Sequence, residues 1–221
     1  MWKMINRELS TNISIYKNFR GLVIVLCAII YPFLIGSDNM SAFNYFIMLG
    51  GLTSVAFTEG ESRDKVYISI LSSPCKRSDY VFGKFLGNLI WIGIVTVIGL
   101  ILNGILNVMM PERCLPATLG QVKLVVSYML IFTGIYYLLY FALGLKWAKI
   151  GYFVVFFAIM VGVVGMEDII FGSNSPHVIR QLYSFIDSAA LLNNLILVII
   201  VGALLGLFAY VSYIFYDKKD F

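Results

Sequence analysis

Apolar residues fall in six long runs, at about 21–37, 41–58, 85–108, 122–145, 150–166 and 189–216. A helix rises 1.5 Å per residue, so roughly 20 apolar residues cross a hydrocarbon core of about 30 Å. Each run is long enough to span, and the last is long enough to tilt or project. Ahead of the first run, Trp2, Ile5, Leu9, Ile13, Tyr16 and Phe19 recur every three or four positions, while Lys3, Arg7, Ser10, Ser14 and Lys17 take other faces. That spacing predicts an amphipathic helix over 1–20 lying in the membrane interface.

Basic residues orient the pattern. With the amino terminus inside, thirteen of the 16 Lys and Arg residues lie on the cytoplasmic side, leaving Arg113, Lys123 and Arg180 outside. Lys and Arg accumulate in cytoplasmic loops, so both termini are expected inside. The first run follows a basic segment, as in a signal peptide, yet Gly36-Ser37-Asp38-Asn39-Met40 holds no small-x-small cleavage site, and an uncleaved anchor is expected. The expected fold is an all-α integral membrane protein, a single domain over 1–221 with no separate soluble unit.

Composition agrees. Of the 221 residues 60% are hydrophobic and 13% charged, far from the mix of soluble domains. Cys27, Cys75 and Cys114 fall in a span, a cytoplasmic loop and an external loop, so no disulfide framework is expected. The net charge of +4 reflects orientation in the bilayer, and no nucleic-acid partner is expected.

Catalytic chemistry is missing. The single histidine, His177, has no cysteine or carboxylate at metal-ligand spacing, so no metal site is expected. Gly172 to Pro176 reads GSNSP, which is not a nucleophile elbow. Around Gly83 and Lys84 the sequence SDYVFGKF has Ser78 at the first glycine of a phosphate-binding loop and Phe85 where Ser or Thr would hold Mg. The chain is therefore expected to bind no nucleotide itself.

The spans also lack the buried charges of an ion-coupled transporter, each of which costs about 2.5–3.5 kcal/mol at a helix centre. Glu167 and Asp168 come closest, in an external segment at 166–188. They suit either a helix end at the water interface or a short re-entrant excursion. Asn103 and Asn107, one turn apart with Asn88 lower in the same span, suit either a polar path for substrate or hydrogen bonds to a neighbouring helix. The same two readings hold for the aromatic stripe of Tyr128, Phe132, Tyr136, Tyr137, Tyr140 and Phe141, which fits a lipophilic or amphipathic cargo or plain packing. Lys146-Trp147-Ala148-Lys149 reads as a basic turn with an interfacial tryptophan or as a contact for a partner.

The densest hydrophilic stretch, Glu59 to Lys84, is placed in the cytoplasm between the second and third spans. Within it Val66, Tyr67, Ile70 and Leu71 share a helical face, with Arg63 and Asp64 toward the other. Pro74 stops such a helix by disfavouring helical geometry in Ser73. A short helix with an apolar centre suits a partner's groove or the lipid headgroups.

Glu59, followed by LSSPCKRSDYVFGK from Leu71 to Lys84, resembles the loop between the second and third spans of ABC type-2 exporter permeases. That pattern has an acid after the second span, a coupling helix, a Leu-x-x-Pro-like break, a basic residue, an apolar pair and a lysine opening the third span. Leu71, Pro74, Lys76 or Arg77, Tyr80, Val81 and Lys84 match it, and Ser73 departs from it where many members have leucine. The layout of interfacial helix, six spans and internal termini is similar too, with compact size most like permeases that export phenol-soluble modulins or confer bacteriocin immunity. The resemblance implies a half-transporter in a bacterial plasma membrane, with a second permease chain, identical or not, and two ABC ATP-binding subunits carrying ATP and Mg. It implies coupling through Glu59, Arg63, Val66, Tyr67, Ile70, Leu71, Pro74, Arg77 and Lys84, and a cargo such as an amphipathic peptide or a drug. The alternative is a motor-free immunity or scaffold protein.

Overall fold

The computed structural model describes residues 2, 5, 6, 9, 10, 43, 46, 47, 50, 51, 76–111, 116–148, 150, 151, 154, 181, 184–188 and 190–218. Among them all regular structure is helical. Three long helices form the bundle: α1 (Arg77–Met109), α2 (Leu119–Leu143) and α3 (Leu191–Asp217). Each is long and apolar enough to cross a membrane. The other three predicted spans lie wholly or largely outside the described residues.

Local chemistry sets the helix ends. In α1, Asp79 puts a negative charge in the first turn, favourable to the helix dipole. At its far end Pro111 disfavours helical geometry in the residue before it, and Met110 is found at φ −144° and ψ 70°. Thr118 and Gln121 form a reciprocal capping box at the start of α2: Thr118 Oγ1 accepts from the Gln121 N–H at 3.3 Å and Gln121 Oε1 from the Thr118 N–H at 3.1 Å. At the end of α2, Gly144 takes φ +90°, a conformation that side chains disfavour, and the chain breaks direction there.

One boundary differs from the expectation. The third span was expected to begin at about 85, after a cytoplasmic segment whose short helix ends at Pro74, but α1 begins at Arg77, so Arg77 to Lys84 form its first two turns. At 33 residues the helix is about 50 Å long, more than the 40–45 Å of a bilayer with its headgroups. An apolar-run criterion misses this extension because its outer turns carry Arg77, Asp79 and Lys84.

Side-chain pairings fix the helix directions. Tyr80 meets Phe141, Phe85 meets Tyr137 and Asn88 meets Thr133, so α1 and α2 run antiparallel. Phe82 meets Tyr213 and Arg77 meets Asp217, so α1 and α3 are antiparallel as well. α2 and α3 are therefore parallel, and they pack where Gly134 leaves room for Leu205 and Phe208. Residues 144–190 consequently begin at one end of the bundle and finish at the other. Near their start Gly151 lies against Leu139, and near their finish Lys123 Nζ donates to the carbonyls of Ile186 (3.3 Å) and Ser188 (2.8 Å).

The helical residues 43, 46, 47, 50 and 51 run antiparallel along α1. Phe46 and Phe43 lie over Gly99, Val95 lies against Gly50, and Trp91 Nε1 donates to the Gly50 carbonyl at 3.1 Å. Phe43, Ile47, Trp91, Ile92 and Val95 join Met129, Phe132, Tyr136, Tyr137 and Phe141 in one core. Near the amino terminus Ile5 is buried and Leu9 packs on that core, while Trp2, Asn6 and Ser10 are exposed; the rest of the helix expected over 1–20 lies outside the described residues.

Candidate functional site

At one end of the bundle α1 begins while α2 and α3 finish, which gathers Lys76, Arg77, Lys84, Lys146 and Lys218 there. Among the described residues the opposite end carries the single base Lys123. Directly inside the basic end stands an aromatic cluster drawn from all three helices. Tyr80 lies 5.8 Å from Phe141 and 5.6 Å from Tyr216, and Phe141 meets Tyr216 edge-on at 5.3 Å. Tyr140 adds an edge contact to Phe141 at 5.1 Å and Phe85 packs on Tyr137 at 5.5 Å. Edge-to-face pairs each contribute about 0.5–1.5 kcal/mol beyond their buried area, so this end resists splaying.

Lys84 sits inside that cluster. Only 1% of it is exposed, and its Nζ lies 5.6 Å from the centroid of the Tyr80 ring, one turn before it on α1. A buried ammonium is costly unless its charge is compensated, and an aromatic face supplies part of that compensation. Lys84, expected to open the third span, lies in the first turns of α1 and points into the interior of the bundle. Its helical neighbour Arg77 faces outward and donates Nη1–H to the main-chain oxygen of Asp217 at 2.7 Å, with the Asp217 carboxylate 4.0 Å away. Thus the first residue of α1 caps the last residue of α3.

One turn deeper than Lys84, Asn88 Nδ2 donates to Thr133 Oγ1 at 2.7 Å, and that hydroxyl donates to the Met129 carbonyl at 2.8 Å. Asn88 Oδ1 and Ser212 Oγ are buried with no hydrogen-bond partner among the described residues. The polar side chains therefore mark the helix junction as well as the rim.

A model of the ABC-2 family transporter protein matches residues 4–216, nearly the whole chain. The chain belongs to the ABC-2 transporter family. It is thus a membrane permease of the ABC class, a family that partners with ABC ATP-binding subunits and is not itself catalytic. Neither the curated proteins nor the solved structures gave a match.

In this ABC-2 permease the expected coupling residues divide. Arg77 and Lys84 occupy the first turns of α1, whereas Glu59, Arg63, Val66, Tyr67, Ile70, Leu71 and Pro74 lie outside the described residues, as do Glu167 and Asp168. The residues expected along a substrate path are not brought together. Asn103 is buried near the end opposite the bases, where its Oδ1 accepts from the Phe43 N–H at 3.3 Å, and Asn107 is half-buried one turn beyond. Tyr136 is fully buried in the aromatic layer beside Phe85 and Tyr137, and Tyr140 is half-buried near the basic end. Asn88 and Asn103 stand 15 positions apart, about 22 Å along α1.

Of the two readings of the aromatic stripe, packing describes Phe132, Tyr136, Tyr137 and Phe141, all buried inside the bundle, while Tyr128 and Tyr140 are half-buried. Of Lys146 to Lys149, expected as a short loop, residues 146–148 are helical and 149 lies outside the described residues. Sequence reasoning missed Tyr216 and Asp217; their signal was an aromatic and an acid at the basic end of the last span.

Proposed function

We propose that this ABC-2 permease is the membrane subunit of an ATP-driven exporter, working with a second permease chain and two ATP-binding subunits that bind ATP and Mg. The observation that carries this reading is the continuity of Arg77–Lys84 with α1 and their fixation to α2 and α3 through Tyr80, Phe141, Tyr216 and Asp217. A coupling segment that ends in such turns cannot move without moving the bundle, because packed helices transmit displacement as rigid bodies. The segment needs only different contact free energies in the two states of the ATP-binding subunits.

In this reading Glu59, Arg63, Val66, Tyr67, Ile70, Leu71 and Pro74 provide the docking surface, and the basic end faces the cytoplasm of a bacterial cell. Among the described residues, the five bases against one at the two ends of the bundle support that orientation. The cargo is hydrophobic or amphipathic, a peptide above all, supported by the scarcity of ionisable groups in the spans and their wealth of aromatics.

The test is a cysteine at Tyr67 in a chain whose Cys27, Cys75 and Cys114 are replaced by serine, coexpressed with the candidate ATP-binding subunit. A crosslink to that subunit whose yield changes with ATP is expected. Copurification without any crosslink from the 59–76 region would overturn the docking assignment, and no copurification at all would favour a motor-free membrane protein.

A further inference from the structure

Lys146 and Trp147 are held outward by a built turn. Gly144, at φ +90°, ends α2, and the Ala148 N–H donates to the Gly144 carbonyl at 3.1 Å. Ala148 is fully buried in the core, which pins the turn, while Trp147 is 57% exposed and Lys146 is exposed beside it. Ile150 and Val154, three and seven positions beyond Trp147, are exposed too. Such spacing sets the three on one helical face, an apolar stripe with an indole at its polar end. Tryptophan in that position matches the boundary between hydrocarbon and headgroups.

The helix directions bring further charge to the same level. Lys76 precedes α1, Lys218 follows α3 and Lys146 follows α2; all three are exposed and, among the described residues, have no ion-pair partner. Arg77 is already engaged by Asp217. Among the described residues Lys76, Arg77, Lys146 and Lys218 outnumber the acids Asp79 and Asp217 at this end, an excess of positive charge around an apolar anchor. An ordinary water-facing surface would gain nothing from Trp147, Ile150 and Val154, whereas a surface of anionic phospholipid complements both the lysines and the stripe.

We propose that Lys76, Lys146 and Lys218 bind the headgroups of anionic phospholipids, with Trp147 setting the depth of the bundle in the membrane. Each lysine close to such a surface contributes about fivefold in binding.

The test uses the full chain in nanodiscs of phosphatidylcholine and phosphatidylglycerol, with one or the other brominated near the headgroup. Quenching of Trp147 is obtained by subtracting the signal of Trp147→Phe, which leaves the contributions of Trp2 and Trp91. At equal mole fraction brominated phosphatidylglycerol should quench Trp147 more than brominated phosphatidylcholine. Lys146→Gln should lower that preference about fivefold, Lys146→Arg should retain it, and the triple change at Lys76, Lys146 and Lys218 to Gln should abolish it. Equal quenching by the two lipids in the parent chain would overturn the proposal. So would loss of quenching by both lipids on adding the ATP-binding subunit, which would assign the surface to that protein.

Discussion

Arg77 donates Nη1–H to the main-chain oxygen of Asp217 at 2.7 Å, joining the first residue of α1 to the last of α3 across most of the sequence. The contact lies immediately after the segment expected to meet the ATP-binding subunit. Both side chains are exposed, at 39% and 55%, so the ionic part contributes little and the directed hydrogen bond matters more.

Arg77→Ala should therefore lower stability only slightly, by about 2–4 °C in melting temperature for a loss of about 1 kcal/mol in a chain of this size. Its larger effect should be on geometry. Spin labels at Ser78 and Lys218 should give a broader and longer distance distribution in the variant, and an unchanged distribution would mean that the aromatic cluster alone holds the helix ends.

Lys84 should react slowly with amine-directed reagents. In detergent-solubilised protein, peptide mapping after brief treatment should find Lys76 and Lys146 modified well before Lys84, because Lys84 is 1% exposed and they are exposed. Equal modification would contradict its burial. Lys84→Glu should prevent assembly, since a carboxylate would face the electron-rich Tyr80 ring from inside a low-dielectric site.

The Asn88–Thr133 pair predicts an asymmetry. Thr133→Val removes the acceptor of Asn88 Nδ2 and leaves the whole amide unpartnered, at a cost of about 1–3 kcal/mol. Asn88→Leu removes the unpaired Oδ1 while Thr133 keeps its bond to Met129, so it should be nearly neutral or stabilising. Reversible unfolding in mixed micelles would compare them, and a larger loss for Asn88→Leu would contradict the assignment.

Glycines should divide by what faces them. A Cβ at Gly134 would stand 2.9 Å from Phe208 and 3.0 Å from Leu205, so Gly134→Ala should loosen the contact between α2 and α3 at a cost of about 1–3 kcal/mol. Nothing lies within 4 Å of a Cβ at Gly202, and Gly202→Ala should gain up to about 1 kcal/mol from helix propensity. The same unfolding measurement checks both.

Hydrophobic runs determined two of the three long helices to within a few residues: 122–145 against Leu119–Leu143 and 189–216 against Leu191–Asp217 agree at both ends. The third, 85–108, was legible only in its apolar part, since a run of polar residues can still be helical when neighbouring helices satisfy it. Recognition of the Glu59 to Lys84 pattern pointed to the family that the match over residues 4–216 shows. The pattern named Tyr80 and Lys84 without revealing that they face the interior.

Sequence by itself determined what must be hidden from water and which end carries the bases, because apolar length and lysine placement are local properties of the chain. Tertiary structure alone decided that Lys84 is buried against Tyr80, that Asn103 bonds Phe43 while Tyr136 packs far from it, and that Arg77 caps Asp217. These depend on which helix faces which and in what direction. In a membrane every helix face is apolar, so hydrophobicity cannot choose a neighbour. Side-chain shape and the few polar groups make that choice, through contacts between residues far apart in sequence.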